Sequence, residues 1–265
     1  MRESTLAGLL GARTRVLGPA PLLTYYSQEG DRVELSAATV ANATAKTAGF
    51  LVTQTDIGPD DVVALRMPRH WSALPWLLAC ASIGATLDLA EPDLPYPDAS
   101  AAVFADPERA DRDSRADHVL VSSHPLGMPS PRPAPASWLD HAREAAAQPD
   151  IFTPIAPGDF TLRSGGELHD QAGLLEQAGA LRSELSNGLT NPGRPLRFAF
   201  LGQPWQRTIW LGAIIMPLLG SDSSLWWARQ DPRIASDERV DVVVDPGPME
   251  PSAATEGQSS DTRSS

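Results

Sequence analysis

The sequence predicts an α/β fold with mostly parallel sheets flanked by helices. Short apolar segments rich in β-branched residues alternate along the chain with longer segments whose apolar residues have helical spacing. Turn residues, mainly Gly, Pro and Asp, separate the segments. Because parallel strands need long crossover connections, which are usually helices, this alternation favours a parallel arrangement.

The strand segments are short and end at turn residues. We predict strands at residues 22–27, 31–35, 62–67, 86–90, 101–105, 117–123, 160–163, 197–201, 224–228 and 240–245. The first two flank Gln28, Glu29 and Gly30, which predicts a hairpin. The segment 62–67 ends at Pro68, which cannot continue a buried strand.

The helical segments have recognisable start and stop residues. Ser36 is a suitable N-cap for a helix in which Val40, Thr44, Ala48 and Leu51 share one face. Gly84 should end the helix that begins near residue 70. The other predicted helices cover residues 1–12, 137–147 with Ser137 as its cap, about 170–185 and about 205–219.

Composition divides the chain into a folded region and a tail. Residues 1–245 form the folded region, which we divide into two subdomains at about 1–123 and 137–245. Residues 124–136 contain five prolines and resemble a surface connection. Residues 246–265 are rich in Pro, Gly, Ser, Thr and acidic residues, and we expect this tail to be disordered.

Charge and cysteine content restrict the partners and the compartment. A net charge of −12 without a basic cluster argues against nucleic acid as a partner. The most apolar stretches, 73–87 and 208–220, are shorter than the roughly 20 residues of a membrane span. Cys80 is the single cysteine, so no disulfide can form within the chain, and a cytoplasmic protein is expected. Its apolar surroundings indicate a buried core residue.

Common catalytic and metal-binding motifs are missing from the sequence. There is no Gly-x-Ser-x-Gly segment and no Gly-x-Gly-x-x-Gly after a strand. In Asp140-His141 and His169-Asp170 the side chains are adjacent in sequence and should diverge on a helix. No His-Glu-x-x-His occurs, so we predict no metal site and interpret the histidines as surface or capping residues.

Several elements in order resemble the start of the adenylate-forming enzymes, which include acyl-CoA synthetases, peptide-synthetase adenylation domains and luciferases. The matching pieces are the strand pair at 24–25 and 34–35, the turn and strand at 57–65, and the end of an apolar helix at 83–85. The resemblance, which extends over roughly residues 5–245, is also to short actinobacterial proteins that carry only this front portion. It implies the α/β fold of the family's N-terminal subdomains.

The segment "GDFTLRSGGELHD", residues 158–170, occupies the place of the family's phosphate-binding loop. By resemblance, Ser164, Gly165 and Gly166 are the candidate nucleotide-binding residues, with ATP or AMP and Mg²⁺ as the implied cofactors. The segment departs from the family pattern, because Arg163 replaces a hydroxyl residue, Glu167 adds a negative charge, and no Gly-x-Pro-Lys follows. A carboxylate about 4 Å from a phosphate charge costs about 1 to 4 kcal/mol, depending on the dielectric.

Trp205 is the candidate substrate-site residue, because the matching segment of the family lines part of the acyl or amino-acid pocket. Core packing is the alternative interpretation of this and the other tryptophans. The family's later motifs and its catalytic lysine do not occur here, and Lys46, the single lysine, lies in a predicted helix. The resemblance therefore implies a pseudoenzyme with no catalytic residues.

Three functional hypotheses follow. The first is a non-catalytic relative of the acyl- and amino-acid-activating enzymes that binds a small molecule or a protein partner. The second is an ATP- or AMP-binding protein that activates an acyl group together with a second chain. The third is a structural or interaction protein without a ligand, whose uncovered apolar surfaces favour self-association.

Overall fold

The computed structural model confirms the predicted fold class. It describes residues 5–27, 29–111, 114–124, 126–189, 194–201, 206–227 and 232–245. Within these ranges the strands form a five-stranded and a seven-stranded sheet, both mostly parallel. The helices are α1 (Leu6–Leu17), α2 (Ala37–Gln54), α3 (Ala73–Ile83), α4 (His141–Glu144), α5 (Gln171–Ser186), α6 (Arg207–Trp210) and α7 (Pro232–Asp237).

The five-stranded sheet combines the first and last strands of the described chain. Its strands are β1 (Pro21–Tyr26), β2 (Arg32–Ser36), β10 (Arg197–Phe200), β11 (Ser223–Trp227) and β12 (Val242–Val244). They lie in the order β12-β10-β11-β1-β2, and the β1–β2 pair is the predicted antiparallel hairpin.

The seven-stranded sheet contains the strands from the middle of the chain. They are β3 (Val62–Arg66), β4 (Thr86–Leu89), β5 (Ala101–Phe104), β6 (Asp117–Leu120), β7 (Leu139–Asp140), β8 (Thr161–Ser164) and β9 (Glu167–Asp170). Their order is β7-β6-β5-β3-β4-β8-β9, and every pair except β8–β9 is parallel. The division into subdomains at about 1–123 and 137–245 stays a prediction.

Local sequence signals determine where α2 begins and where α3 ends. The Ser36 side chain accepts a hydrogen bond from the backbone N–H of Thr39, which confirms the predicted N-cap of α2. Gly84 ends α3 with φ of 96°, a left-handed conformation in which its N–H bonds to the Cys80 carbonyl. Cys80 is fully buried in α3, as predicted.

The prediction of one helix over residues 137–147 was wrong. Leu139 and Asp140 instead pair with β6 as the edge strand β7. The helix α4 then begins at His141, and Asp140 rather than Ser137 caps it by accepting from the Ala142 N–H. A short 3₁₀ turn over residues 145–147 completes the segment. Pairing with a neighbouring strand has overridden the local helix preference.

Two further differences affect the second half of the chain. The strand β9 was not predicted, because the sequence analysis assigned no element between the strand 160–163 and the helix that begins at about residue 170. The predicted helix 205–219 begins at Arg207 and continues as a π-helical segment over 211–215 and a 3₁₀ segment over 216–219. Pro217 cannot donate a backbone hydrogen bond there, and Gly212 packs against the Phe200 ring.

Buried polar contacts hold the elements of the core together. Arg66, 2% exposed, pairs with Asp88 at 2.6 Å and also donates to the carbonyl oxygens of Leu94 and Pro95. These bonds fix the connection that follows β4.

No helix in the described part of the chain has the length and apolarity to cross a membrane. The predicted disordered tail, 246–265, lies outside the described residues.

Candidate functional site

The predicted phosphate-loop residues lie at the turn of the β8–β9 hairpin. Ser164 ends β8 and pairs with Glu167, so Gly165 and Gly166 alone connect the strands. Their φ angles of 60° and 81° are those of a two-residue hairpin turn with both central residues left-handed. A side chain at either glycine would meet nothing within 4 Å, so the turn projects into open space.

Charged side chains around this turn are engaged with one another. The Glu167 carboxylate lies 3.6 Å from Nε2 of His169 and 3.9 Å from the guanidinium of Arg207. The Arg163 guanidinium lies 3.8 Å from the Asp98 carboxylate. A two-residue turn offers far fewer backbone N–H groups than the phosphate-wrapping loop implied by the resemblance. The assignment of Ser164, Gly165 and Gly166 to nucleotide binding stays a prediction.

Trp205, the predicted substrate-site residue, lies outside the described residues. The nearby part of the chain that is described contains Trp210, 1% exposed, whose ring lies 5.8 Å from that of His169. Trp210 packs in the main hydrophobic core. For this tryptophan, therefore, the core interpretation is confirmed.

A cavity of about 240 Å³ lies between α2, the start of α3, the residues after β6, and α4. Its walls are mostly apolar and aromatic, with a few separate polar groups. The lining residues are Asn42, Ala43, Lys46, Thr47, Trp71, Ser72, Pro75, Trp76, Val121, Ser122, Gly127, His141, Ala142, Ala145 and Ala146. This is the composition expected of a small-molecule site.

His141 is the central polar side chain of the cavity. Its position at the first residue of α4 directs it toward α2, where Nε2 lies 3.1 Å from the Thr47 hydroxyl. The imidazole ring packs against Trp76 at 4.7 Å and Phe50 at 5.2 Å between ring centroids. Burial among these rings lowers the pKa of His141 to about 4. The imidazole is therefore neutral at pH 7, with one ring nitrogen bonded to Thr47.

Lys46 supplies the charge at the edge of the cavity. Its Nζ donates to the Gln148 carbonyl at 2.9 Å and pairs with the Asp150 carboxylate at 2.9 Å. Gln148 also donates through Nε2 to the Thr53 hydroxyl at 2.9 Å. These contacts hold the segment after α4 on α2, and they neutralise the lysine charge locally.

Ser72 and His70 form a Ser–His contact beside the cavity, with 2.8 Å between Oγ and Nδ1. The Ser72 N–H also donates to Nδ1 at 3.2 Å, which places the ring hydrogen on Nε2. Burial lowers the pKa of His70 to about 4, with a smaller contribution from His124, so the ring is a weak base. The contact fits a turn-stabilising role better than activation of a nucleophile.

The histidines were predicted to be surface or capping residues. His70 is 3% exposed and so is not at the surface, but its Nδ1 accepts from the Ser72 backbone N–H just before α3. His141 is half-buried at the first residue of α4, with its ring against Phe50 and Trp76.

The sequence analysis considered His141 with its neighbour Asp140 and among the histidines as possible metal ligands. It did not identify Thr47, which lies 94 residues before His141 in the chain and forms no motif with it. No group of three or more potential metal ligands occurs among the described residues.

Comparisons with known proteins give a fold and a partial sequence match. No family model matches the chain. A TIGR03089 family protein of Mycobacterium tuberculosis is 31% identical over 155 residues, which are 57% of this chain and 63% of that protein. The chain thus spans less than two thirds of this relative.

Solved structures of acyl-CoA synthetases share the fold. An acyl-CoA synthetase of Brucella canis matches with a TM-score of 0.72 and 16% identity, over 91% of this chain and 47% of that chain. The N-terminal domain of FACL13 from Mycobacterium tuberculosis matches with a TM-score of 0.65 and 15% identity, over 90% of this chain and 62% of that chain. The resemblance to adenylate-forming enzymes is therefore confirmed at the level of the fold.

Proposed function

We propose that the protein binds a small, mostly apolar molecule in the cavity between α2, α3 and α4 and does not itself form an acyl-adenylate. The observation that carries the proposal is the cavity, with aromatic walls and a neutral His141 held by Thr47. At about 240 Å³ it exceeds the ~150 Å³ of a cavity known to hold benzene and lies just below the ~300 Å³ where drug-sized pockets begin.

The β8–β9 hairpin supports the second part of the proposal. Its two-residue turn and the Glu167 carboxylate are unfavourable for holding several phosphate charges. Cations near the turn, Arg163 and Arg207, already lie close to carboxylates. Mg-ATP and AMP should therefore leave the unfolding temperature unchanged.

Toluene is a suitable first probe for the cavity. Binding should shift the indole N–H resonances of Trp71 and Trp76, because both rings line the cavity. At 100 times its dissociation constant a ligand adds about 2.7 kcal/mol to the free energy of unfolding, which raises the midpoint by about 5–10 °C. Absence of both effects at saturating toluene would contradict the proposal.

A pair of variants tests whether the probe occupies this cavity. Ala142→Leu adds a side chain to the cavity wall and should abolish the toluene effect. Ala147→Leu places the same side chain at an exposed position three residues beyond the end of α4, which does not line the cavity, and should preserve it. Equal binding by both variants would place toluene elsewhere.

A second candidate function rests on the fold shared with acyl-CoA synthetases. In this alternative the chain binds AMP or ATP and activates an acyl group together with another protein. Pyrophosphate release from Mg-ATP by the chain in a lysate fraction, lost on Gly165→Val together with Gly166→Val, would support it. Those substitutions introduce β-branched residues at positive φ and remove the hairpin turn geometry.

A further inference from the structure

The described residues of the cavity offer a ligand no charged group that lacks a partner. Among the lining residues that the structure describes, Lys46 is the one charged side chain, and its ammonium is paired with Asp150 and bonded to the Gln148 carbonyl. His141 faces Thr47, Phe50 and Trp76, none of which is charged. An ionised group inside the cavity would lose hydration without gaining an uncommitted opposite charge.

Hydrogen-bonding capacity inside the cavity is nevertheless left over. Trp76 does not supply it, because its indole N–H, although unpartnered among the described residues, is fully buried behind the cavity surface. His141 bonds through Nε2, while its Nδ1 has no partner in the described part of the chain. Polar groups inside proteins are usually paired, so the open ring nitrogen of His141, a residue that lines the cavity, indicates that a ligand atom can complete it.

We infer, building on the proposed function, that the cavity selects a neutral planar carboxamide over carboxylate and ammonium compounds of the same size. A carboxamide carries both a donor and an acceptor, so it can bond to Nδ1 of His141 in either tautomer. The rings of Trp71, Trp76 and His141 provide flat walls for an aromatic body.

Four probes of nearly equal size test this inference: benzamide, benzoate, benzylamine and toluene. Their dissociation constants are measured at pH 7 from the same indole N–H shifts on the unmodified chain. We expect benzamide to bind at least about tenfold more tightly than benzoate and benzylamine, a difference of about 1.4 kcal/mol. Toluene, which satisfies no polar group, should also bind more weakly than benzamide.

The substitution His141→Phe tests the role of the ring nitrogens. It keeps a planar ring against Phe50 and Trp76 but cannot bond to an amide, so the preference for benzamide over toluene should shrink several-fold. The matched control is His118→Phe, whose ring stacks on Trp138 at 4.9 Å and does not line the cavity. This control should retain the preference.

The outcomes separate the inference from the proposal beneath it. If toluene binds and the three polar probes are equal, or if benzoate is tightest, the inferred selectivity is wrong while the cavity remains a binding site. If none of the four probes binds, the proposed function fails and the inference fails with it. The four dissociation constants measured on the unmodified chain test the inferred selectivity even if His141→Phe does not fold.

Discussion

We expect His70 to make the stability of this protein sensitive to mild acid. The side chain follows β3, is 3% exposed, and packs against Tyr25 with 5.1 Å between ring centroids. Its Nδ1 accepts from the Ser72 N–H, and its Nε2 has no hydrogen-bond partner among the described residues. Burial lowers the pKa of His70 from 6.5 to about 4, with a smaller effect of His124.

The sign of the effect follows from proton binding. Between pH 6.5 and 4 the unfolded chain protonates residue 70 while the folded chain does not, so stability falls as the pH falls through this window. Above the window both states are neutral, and below it both are protonated. The two pKa values give a loss of about 2 kcal/mol between pH 7 and pH 5 and about 3 kcal/mol by pH 4.

The variant His70→Asn isolates this contribution. Asn does not titrate, and its Oδ1 can replace Nδ1 as the acceptor for the Ser72 N–H. Urea unfolding of both proteins at pH 7 and pH 5 gives the free energies, and carboxylate effects common to both cancel in the comparison. The unmodified chain should lose about 2 kcal/mol more than the variant between these pH values. Equal losses would mean that residue 70 is hydrated and titrates normally, which would refute the reasoning.

Two further predictions concern packing and buried charge. Asp88→Asn leaves the Arg66 guanidinium buried without its carboxylate and should cost about 3–5 kcal/mol in urea unfolding, whereas Asp98→Asn in an exposed ion pair should cost less than about 1 kcal/mol. Equal decreases in the free energy of unfolding for the two variants would show that burial does not make the Arg66–Asp88 pair more important than an exposed pair. Gly212→Ala places a Cβ 2.1 Å from the Phe200 ring, so the thermal midpoint should fall by an amount equivalent to about 1–3 kcal/mol or more, and Phe200→Leu should partly restore it. An unchanged midpoint would show that the ring moves freely.

Elements whose signals are local could be predicted from the sequence. The cap of α2 at Ser36 and the left-handed stop of α3 at Gly84 each depend on the side chain, or the missing side chain, of one residue. The β1–β2 hairpin depends on two short segments that are neighbours in sequence. In each case the partner group lies within about one turn or one hairpin, so tertiary contacts had little to change.

Elements that depend on distant partners could not be predicted in this way. The segment 139–140 becomes a strand because β6 offers an unpaired edge, which is invisible in the helical spacing of residues 137–147. The strand β9 has exposed polar residues and one exposed leucine, Leu168, so its pattern does not differ from that of a loop. Its strand conformation follows from pairing with β8 across the two glycines.

The candidate cavity had no sequence signal of its own. Thr47 on α2, Trp76 on α3 and His141 on α4 are widely separated in the chain and meet only after the helices pack. A single histidine followed by small residues is common on helices. The family resemblance instead predicted a site in the β8–β9 segment. A sequence motif can identify a loop, but it does not identify a cavity formed by helices that are distant in sequence.

At both the hairpin and the cavity, the nearby cationic side chains lie beside carboxylates. Nucleotide binding requires cations and backbone N–H groups that are free to meet phosphate oxygens. In this chain the ammonium of Lys46 is paired with Asp150, and Arg207 lies beside the Glu167 carboxylate. A net charge of −12 adds a field that repels polyanions. We therefore propose that a fold shared with acyl-CoA synthetases here carries side chains suited to a neutral ligand. The benzamide experiment tests binding of the neutral ligand, and the Mg-ATP experiment tests binding of the nucleotide.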